Sequence, residues 1–426
     1  LKSLQNWGET AFNALFGSRE GGKMLDDAIK NGYENLHLQI SSDDPRILAW
    51  HWEALKDPNT DIPFAHECQI ERKLMHKTIE RVSISKNLPQ DCVNILLVTA
   101  RPLENDVRYR SVSRLLVELI DKQNLPANVH ILRPPTFDNL RETLKNNPNF
   151  YHILHFDGHG YYGPMPADSN AGSDSNSGGS RGCLFFEFYR GGGNPVLPEE
   201  LGDLLREYSV PAVVLNACQS GMIDKTADDP YASVAAALLK SGVRSVLAMA
   251  YSLYISAAQV FLPEFYRSLF ENGSMETAVR AGRQQMLANS HRLCIRGQFK
   301  LQDWLVPVLY QENPLDFSFA TFAKPAKQKT ISLPPEIEEQ DNYEFIGRDS
   351  AILELERTLR LEQKPAILIQ GLGGVGKTTL AKTILSDPSS YLNWDIPLHR
   401  EAILKRHLPN TELWCFDEIH KYSSWR

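Results

Sequence analysis

YHILHFDGHG, residues 151–160, and VVLNACQSG, residues 213–221, are the two stretches on which the reading of the fold turns. Each begins as a short apolar run, the pattern of a strand buried on both faces. Each then reaches glycine around one reactive side chain: His159 between Gly158 and Gly160, and Cys218 ahead of Gly221. Both reactive residues are expected in glycine-flanked turns just past their strands. A histidine beside a cysteine takes its proton or stabilises its thiolate, which is what a cysteine nucleophile requires. The oxyanion formed on attack needs fixed donors, for which the N–H groups of Gly160 and Cys218 are the candidates. Asp157 and Asn216 are candidates for orienting the histidine or shaping the first specificity pocket, and the residues alone leave both roles open.

The histidines at 152, 155 and 159 raise a metal site as an alternative. Strand geometry opposes it. His152 and His155 would face opposite sides, and His155 and His159 would lie roughly 13 Å apart, too far to share a zinc ion.

Outward from these stretches the chain alternates strands and helices. Strands are expected at 93–99, 129–132, 151–156, 183–189, 212–215, 245–250 and 305–310. Helices are expected at 107–122, 137–145, 201–208, 232–240, 255–270 and 275–288. This rhythm specifies an α/β fold with a mostly parallel sheet sandwiched by helices. Working residues in such sheets lie just past the C-terminal ends of strands, where His159 and Cys218 fall. Residues 1–90 read as an N-terminal α+β subdomain, with a helix over 23–35 and a strand over 36–40. Residues 91–318 form the main domain. Residues 164–182, rich in Ser, Gly, Asn and Asp, read as a surface insertion, with self-cleavage as the sharper alternative.

A linker at 319–342 precedes a second α/β unit at 343–426. There AILIQ, residues 366–370, is expected as a strand running into Gly371-Leu372-Gly373-Gly374-Val375-Gly376-Lys377-Thr378, a full GxxxxGK[ST] match. Thr379 opens the helix expected over 379–385. Successive N–H groups of such a loop wrap phosphates, the lysine reaches the β/γ oxygens, and Thr378 holds Mg²⁺. Asp417 and Glu418, at the end of an apolar run, suit Mg²⁺ binding through water and orientation of an attacking water. ATP or ADP with Mg²⁺ is the expected cofactor here, and none is expected at the cysteine site.

Composition sets the limits. The chain has 426 residues, 42% hydrophobic and 23% charged, and a net charge of −7. That balance argues against a large nucleic-acid surface. Six scattered cysteines without a CxxC pair suit reduced thiols in the cytoplasm. The uncharged stretch 245–263 carries serines, a glutamine and tyrosines, and reads as strand, turn and helix start rather than a membrane span. The N-terminus has neither an initiator Met nor a signal-peptide core, so the chain is read as part of a longer one.

HFDGHG followed by LNACQSG resembles the caspase-like peptidases of the CHAT type, relatives of separases and metacaspases. HWEALKDP, the segment after the cysteine strand and WLVPVLY resemble the same family, so the likeness spans roughly residues 20–312. The resemblance implies His159 as general base and Cys218 as nucleophile. Asn216 in place of Gln, and Ser220 before Gly221, depart from the caspase signature and its Asp specificity. GLGGVGKTTLAK resembles the NB-ARC and related STAND signal-transduction ATPases, whereas the DEIHKY segment looks like another P-loop group.

The expected function is a cysteine endopeptidase acting on a protein substrate, gated by a nucleotide switch and assembling through regions beyond residue 426. The resemblance suggests bacterial defence or cell-death signalling. Two rivals are a non-catalytic scaffold relaying signals from the ATPase, and an ATPase with an accessory N-terminal domain.

Overall fold

The computed structural model describes residues 2–60, 62–75, 88–102, 116, 119, 125–163, 181–218, 230–251, 253–294, 297–312, 315–317, 355, 358, 366–370, 377–385, 388–411 and 413–422. The chain divides into two compact units, Leu1–Pro334 and Pro335–Arg426.

In the first unit, α1 (Lys2–Phe16) and α2 (Arg19–Ala28) precede β1 (His37–Ser41) and β2 (Gln69–Lys73). The Ser18 hydroxyl starts α2 by accepting the Gly21 N–H at 2.9 Å. Next come β3 (Val93–Thr99), β4 (Ala127–Ile131), α3 (Phe137–Asn146), β5 (Ile153–Gly163), β6 (Arg181–Glu187) and β7 (Gly193–Val196). Then follow α4 (Pro198–Glu207), β8 (Ala212–Cys218), α5 (Pro230–Lys240), β9 (Ser245–Met249), α6 (Ile255–Asn272) and α7 (Met275–Ala288). A small hairpin of β10 (His291–Cys294) and β11 (Gly297–Lys300) leads to β12 (Pro307–Gln311).

These elements build one ten-stranded sheet in the order β1-β2-β12-β9-β8-β5-β3-β4, with β6 paired to β5 and β7 to β6. Neighbours along the main path are parallel except at β12–β9. The expected α/β fold, a mostly parallel sheet flanked by helices, is the observed one.

Every residue of β3 is buried, as an apolar run covered on both sides demands. Leu154 and Phe156 of β5 join one core with Leu140 and Leu144 of α3, Leu201 and Leu205 of α4, and Leu238 and Leu239 of α5. Alternation turns His155, Asp157 and His159 to the opposite face. There the hydroxyl of Tyr266 on α6 lies 2.8 Å from His155 Nδ1. The stretch 245–263 splits into β9 and the beginning of α6. Among the described residues, no helix is long and apolar enough to cross a membrane.

The first 90 residues supply the sheet's own β1 and β2. The strand β2 lies in a segment whose mixed, polar sequence hides it. Its pairing with β12 aligns Tyr310 with Arg72. A buried ionic knot secures this edge: Arg72 donates to both Glu53 oxygens, at 2.6 and 2.7 Å, and Arg283 of α7 donates to Glu53 at 2.8 Å. Burial alone would raise the Glu53 carboxyl, but the two guanidinium groups hold it below the usual range.

In the second unit, α8 (Lys377–Ile384) and α9 (Pro397–Lys405) accompany a parallel pair, β13 (Tyr391–Asn393) and β14 (Cys415–Asp417). Residues 366–370, expected as an apolar strand, pair with no strand among the described residues, and Leu368 is 64% exposed. An apolar run becomes a strand only where a neighbour takes its N–H and C=O groups. The loop 371–376, the linker 319–342, the insertion over 164–180 and most of the helix expected over 107–122 lie outside the described residues.

Candidate active site

Adjacent parallel strands bring the two opening stretches together. The β5–β8 register pairs Asp157 with Asn216, Gly158 with Ala217, and His159 with Cys218. Parallel neighbours lie about 4.8 Å apart, so the backbones at His159 and Cys218 are one strand spacing from each other. Both belong to the C-terminal edge of the sheet.

The local conformation differs from the expected turns. β5 does not stop at Phe156 but continues to Gly163, because β6 folds back on it, aligning His159 with Phe185 and Gly160 with Leu184. His159 and Gly160 are therefore ladder residues, and Cys218 is the last residue of β8. The physical reason is the CLFFE run of β6, which supplies an apolar antiparallel partner for residues that would otherwise end the strand. Gly158 serves close packing rather than a turn: a Cβ there would lie 2.8 Å from the Phe156 ring and 3.3 Å from the Ala100 carbonyl oxygen.

Beneath the His159–Cys218 row lies a buried polar row. Thr99, Asp157 and Asn216 stand abreast on β3, β5 and β8. Asn216 Nδ2 donates to Asp157 Oδ1 at 2.9 Å, and Arg101 Nη2 donates to Asp157 Oδ2 at 2.6 Å. Arg101 also grips the strand itself, its Nη1 donating to the Asp157 carbonyl at 2.7 Å. Burial pushes the Asp157 carboxyl up; Arg101 and Asn216 oppose that push, and His159 adds a further pull in their direction. Thr99 Oγ1 and Asn216 Oδ1 are buried without a hydrogen-bond partner among the described residues.

The structure thus joins Asp157 and Asn216, which the sequence offered as separate candidates. It adds Arg101, which sequence reading missed. Its only signal was a charged residue two positions after the apolar run of β3.

Other reactive-looking groups are engaged elsewhere. His152 accepts the Asn94 N–H at 3.0 Å and its other nitrogen lies 3.0 Å from the Pro89 carbonyl. Burial pushes the Cys68 thiol up to about 12 and those of Cys92, Cys183 and Cys415 up to about 11, which keeps them protonated and unreactive at neutral pH.

In the second unit, Thr378 Oγ1 donates to Asp417 Oδ2 at 2.9 Å. The Tyr391 hydroxyl donates to the same oxygen, and the Glu418 N–H donates to Oδ1 at 3.0 Å. Lys377 is the first residue of α8. Gly371, Gly373, Gly374, Val375, Gly376 and the Thr379 side chain fall outside what the structure describes.

The CHAT domain family matches residues 17–328, so the chain belongs to that family. No curated protein matches. Among solved structures, the chain is similar to the Arg-specific cysteine proteinase gingipain R, at 11% identity and a TM-score of 0.39, covering 70% of this chain and 68% of that one. It is also similar to separase in the Saccharomyces cerevisiae separase–securin complex, at 13% identity and a TM-score of 0.36, covering 66% of this chain but only 16% of that one. Protein GSU0716 from Geobacter sulfurreducens aligns at 12% identity and a TM-score of 0.31, over 54% of this chain and 96% of that one.

Proposed function

We propose that the chain is a cysteine endopeptidase in which His159 is the general base and Cys218 the nucleophile. The observation that carries this reading is the cross-strand pairing of these two residues at one end of a CHAT domain sheet. In the proposed cycle His159 takes the Cys218 proton, and the thiolate attacks the scissile carbonyl of a protein substrate. The N–H groups of Gly160 and Cys218 receive the oxyanion. His159 then passes its proton to the leaving amine, and water releases the acyl group, restoring the thiol. The buried row of Thr99, Asp157 and Asn216 is the floor of the first specificity pocket. Thr99 Oγ1 and Asn216 Oδ1, buried and without a hydrogen-bond partner among the described residues, favour a polar substrate side chain over an apolar one.

The second unit is a nucleotide switch that gates the peptidase. Thr378 and Asp417 would hold Mg²⁺ with ATP or ADP, and the Thr378–Asp417 hydrogen bond supports that reading. A bound cation would neutralise phosphate charge at this site. The biological setting that fits this reading is bacterial defence or cell-death signalling, with assembly on activation.

The test is covalent labelling of the full chain by an electrophilic peptide, read by mass spectrometry. Labelling at Cys218 that is lost in His159→Ala, and cleavage that is lost in Cys218→Ala, are the expected results. Cleavage intact in Cys218→Ala rejects Cys218 as the nucleophile, and an unlabelled Cys218 in a nucleotide-activated protein that cleaves nothing favours a scaffold.

A further inference from the structure

We propose that Arg101 is a positioning residue for this reaction, clamping the ends of β5 and β8 one row below His159 and Cys218; the proposal rests on the peptidase reading above. Arg101 lies two residues past the end of β3 and is 8% exposed. Its own N–H donates to Glu187 Oε1 at 2.7 Å, which pins its backbone to the end of β6. Its guanidinium makes a two-point contact with a single residue, reaching the Asp157 carboxylate at 2.6 Å and the Asp157 carbonyl at 2.7 Å. That carbonyl also accepts the Ala100 N–H at 2.9 Å. Side chain and main chain of Asp157 are therefore both held from β3.

The hold passes on to the cysteine strand. The remaining Asp157 oxygen accepts from Asn216, whose position on β8 is two residues before Cys218. Asp157 is likewise two residues before His159, on the same face of its strand. A chain of bonds from one cation, through Asp157 to Asn216, thus links the ends of β5 and β8 to the segment just past β3, one same-face position below His159 and Cys218.

Stability does not account for this arrangement. A buried ion pair costs more in desolvation than an apolar pair of similar shape, so it is a poor way to hold three strand ends together. It is a good way to hold them in one orientation, because the planar fork of arginine fixes direction as well as distance.

The experiment separates the two roles with Arg101→Met, Arg101→Lys and the double variant Arg101→Met/Asp157→Asn, all in the full chain. Two quantities are read: the urea midpoint, and the rate of Cys218 labelling by a peptidyl vinyl sulfone as a function of pH, corrected for the folded fraction. Arg101→Met alone strands a buried carboxyl and loses stability. The double variant removes both charges and regains most of it. Its labelling stays at least about tenfold below the parent with a displaced pH profile, since misplacement on the ångström scale costs rates of that order. Arg101→Lys keeps the charge without the fork and recovers labelling only in part. A double variant, or a folded Arg101→Lys, that labels at the parental rate with the parental pH profile overturns the proposal. If the parent's Cys218 labels no faster than its buried Cys183, the peptidase reading fails first and takes this proposal with it. The two failures are thereby distinguishable.

Discussion

Asn216 donates its amide to Asp157 across β5 and β8 at 2.9 Å, and both side chains are buried. This single bond joins the histidine strand to the cysteine strand at the level just below the reactive pair. Replacing Asn216 with Leu removes the donor and leaves one carboxylate oxygen unsatisfied, a loss of about 1–3 kcal/mol. Asn216→Asp sets two buried carboxyls abreast and is the worse of the two. Urea denaturation of both variants measures the losses, and a parental midpoint for Asn216→Leu contradicts a contribution from the bond.

The pH dependence of stability follows from buried histidines. Burial lowers His66 and His152 to about 4 and His155 to about 3, against an ordinary 6.5. The unfolded chain therefore binds more protons than the folded one between these values and about 6.5. Stability is fully present above about 6.5 and falls as the pH drops below it, by about 1.4 kcal/mol per pH unit for each histidine. Denaturation midpoints at pH 7.5 and pH 5 test this. His155→Gln, which stays neutral, flattens the slope if the assignment holds.

Glu53 is shared by Arg72 and Arg283, and all three are essentially inaccessible. Glu53→Gln leaves two buried guanidinium groups without a counter-charge, at a cost of about 3–5 kcal/mol. The Glu53 carboxyl is held low, so its contribution is present above the ordinary carboxylate range and is lost as pH falls through its folded value. A parental melting temperature for Glu53→Gln contradicts this account.

At the proposed nucleotide site, Thr378→Val removes the hydroxyl that meets Asp417 while keeping the shape of the side chain. Titration of the full chain with a fluorescent ATP analogue is expected to lose its Mg²⁺ dependence in this variant. Tyr391→Phe removes a competing donor from the same Asp417 oxygen and is expected to strengthen the Mg²⁺ dependence severalfold. Equal titrations with and without Mg²⁺ in the parent chain would refute the switch as assigned.

Sequence reading found the α/β rhythm because long apolar runs and amphipathic helices are local patterns. It singled out His159, Cys218, Asp157 and Asn216 as candidates because they sit at the ends of those runs. It overlooked β2, whose residues are polar apart from Ile70, since that strand exists only through its neighbours β1 and β12. It placed His159 in a turn because two glycines flank it, whereas β6 extends the strand through them. Residues 366–370 show the converse: an apolar run with no strand partner in the described residues.

By itself the sequence determined that this protein carries a mostly parallel sheet with a histidine and a cysteine toward the C-terminal ends of two of its strands, because strand periodicity and glycine placement are written residue by residue. Only the tertiary structure decided that the two are cross-strand partners, and that Arg101, Asp157 and Asn216 brace the row beneath them. Register between β5 and β8, and the reach of a guanidinium from β3, depend on how separate segments pack, and no local pattern encodes either.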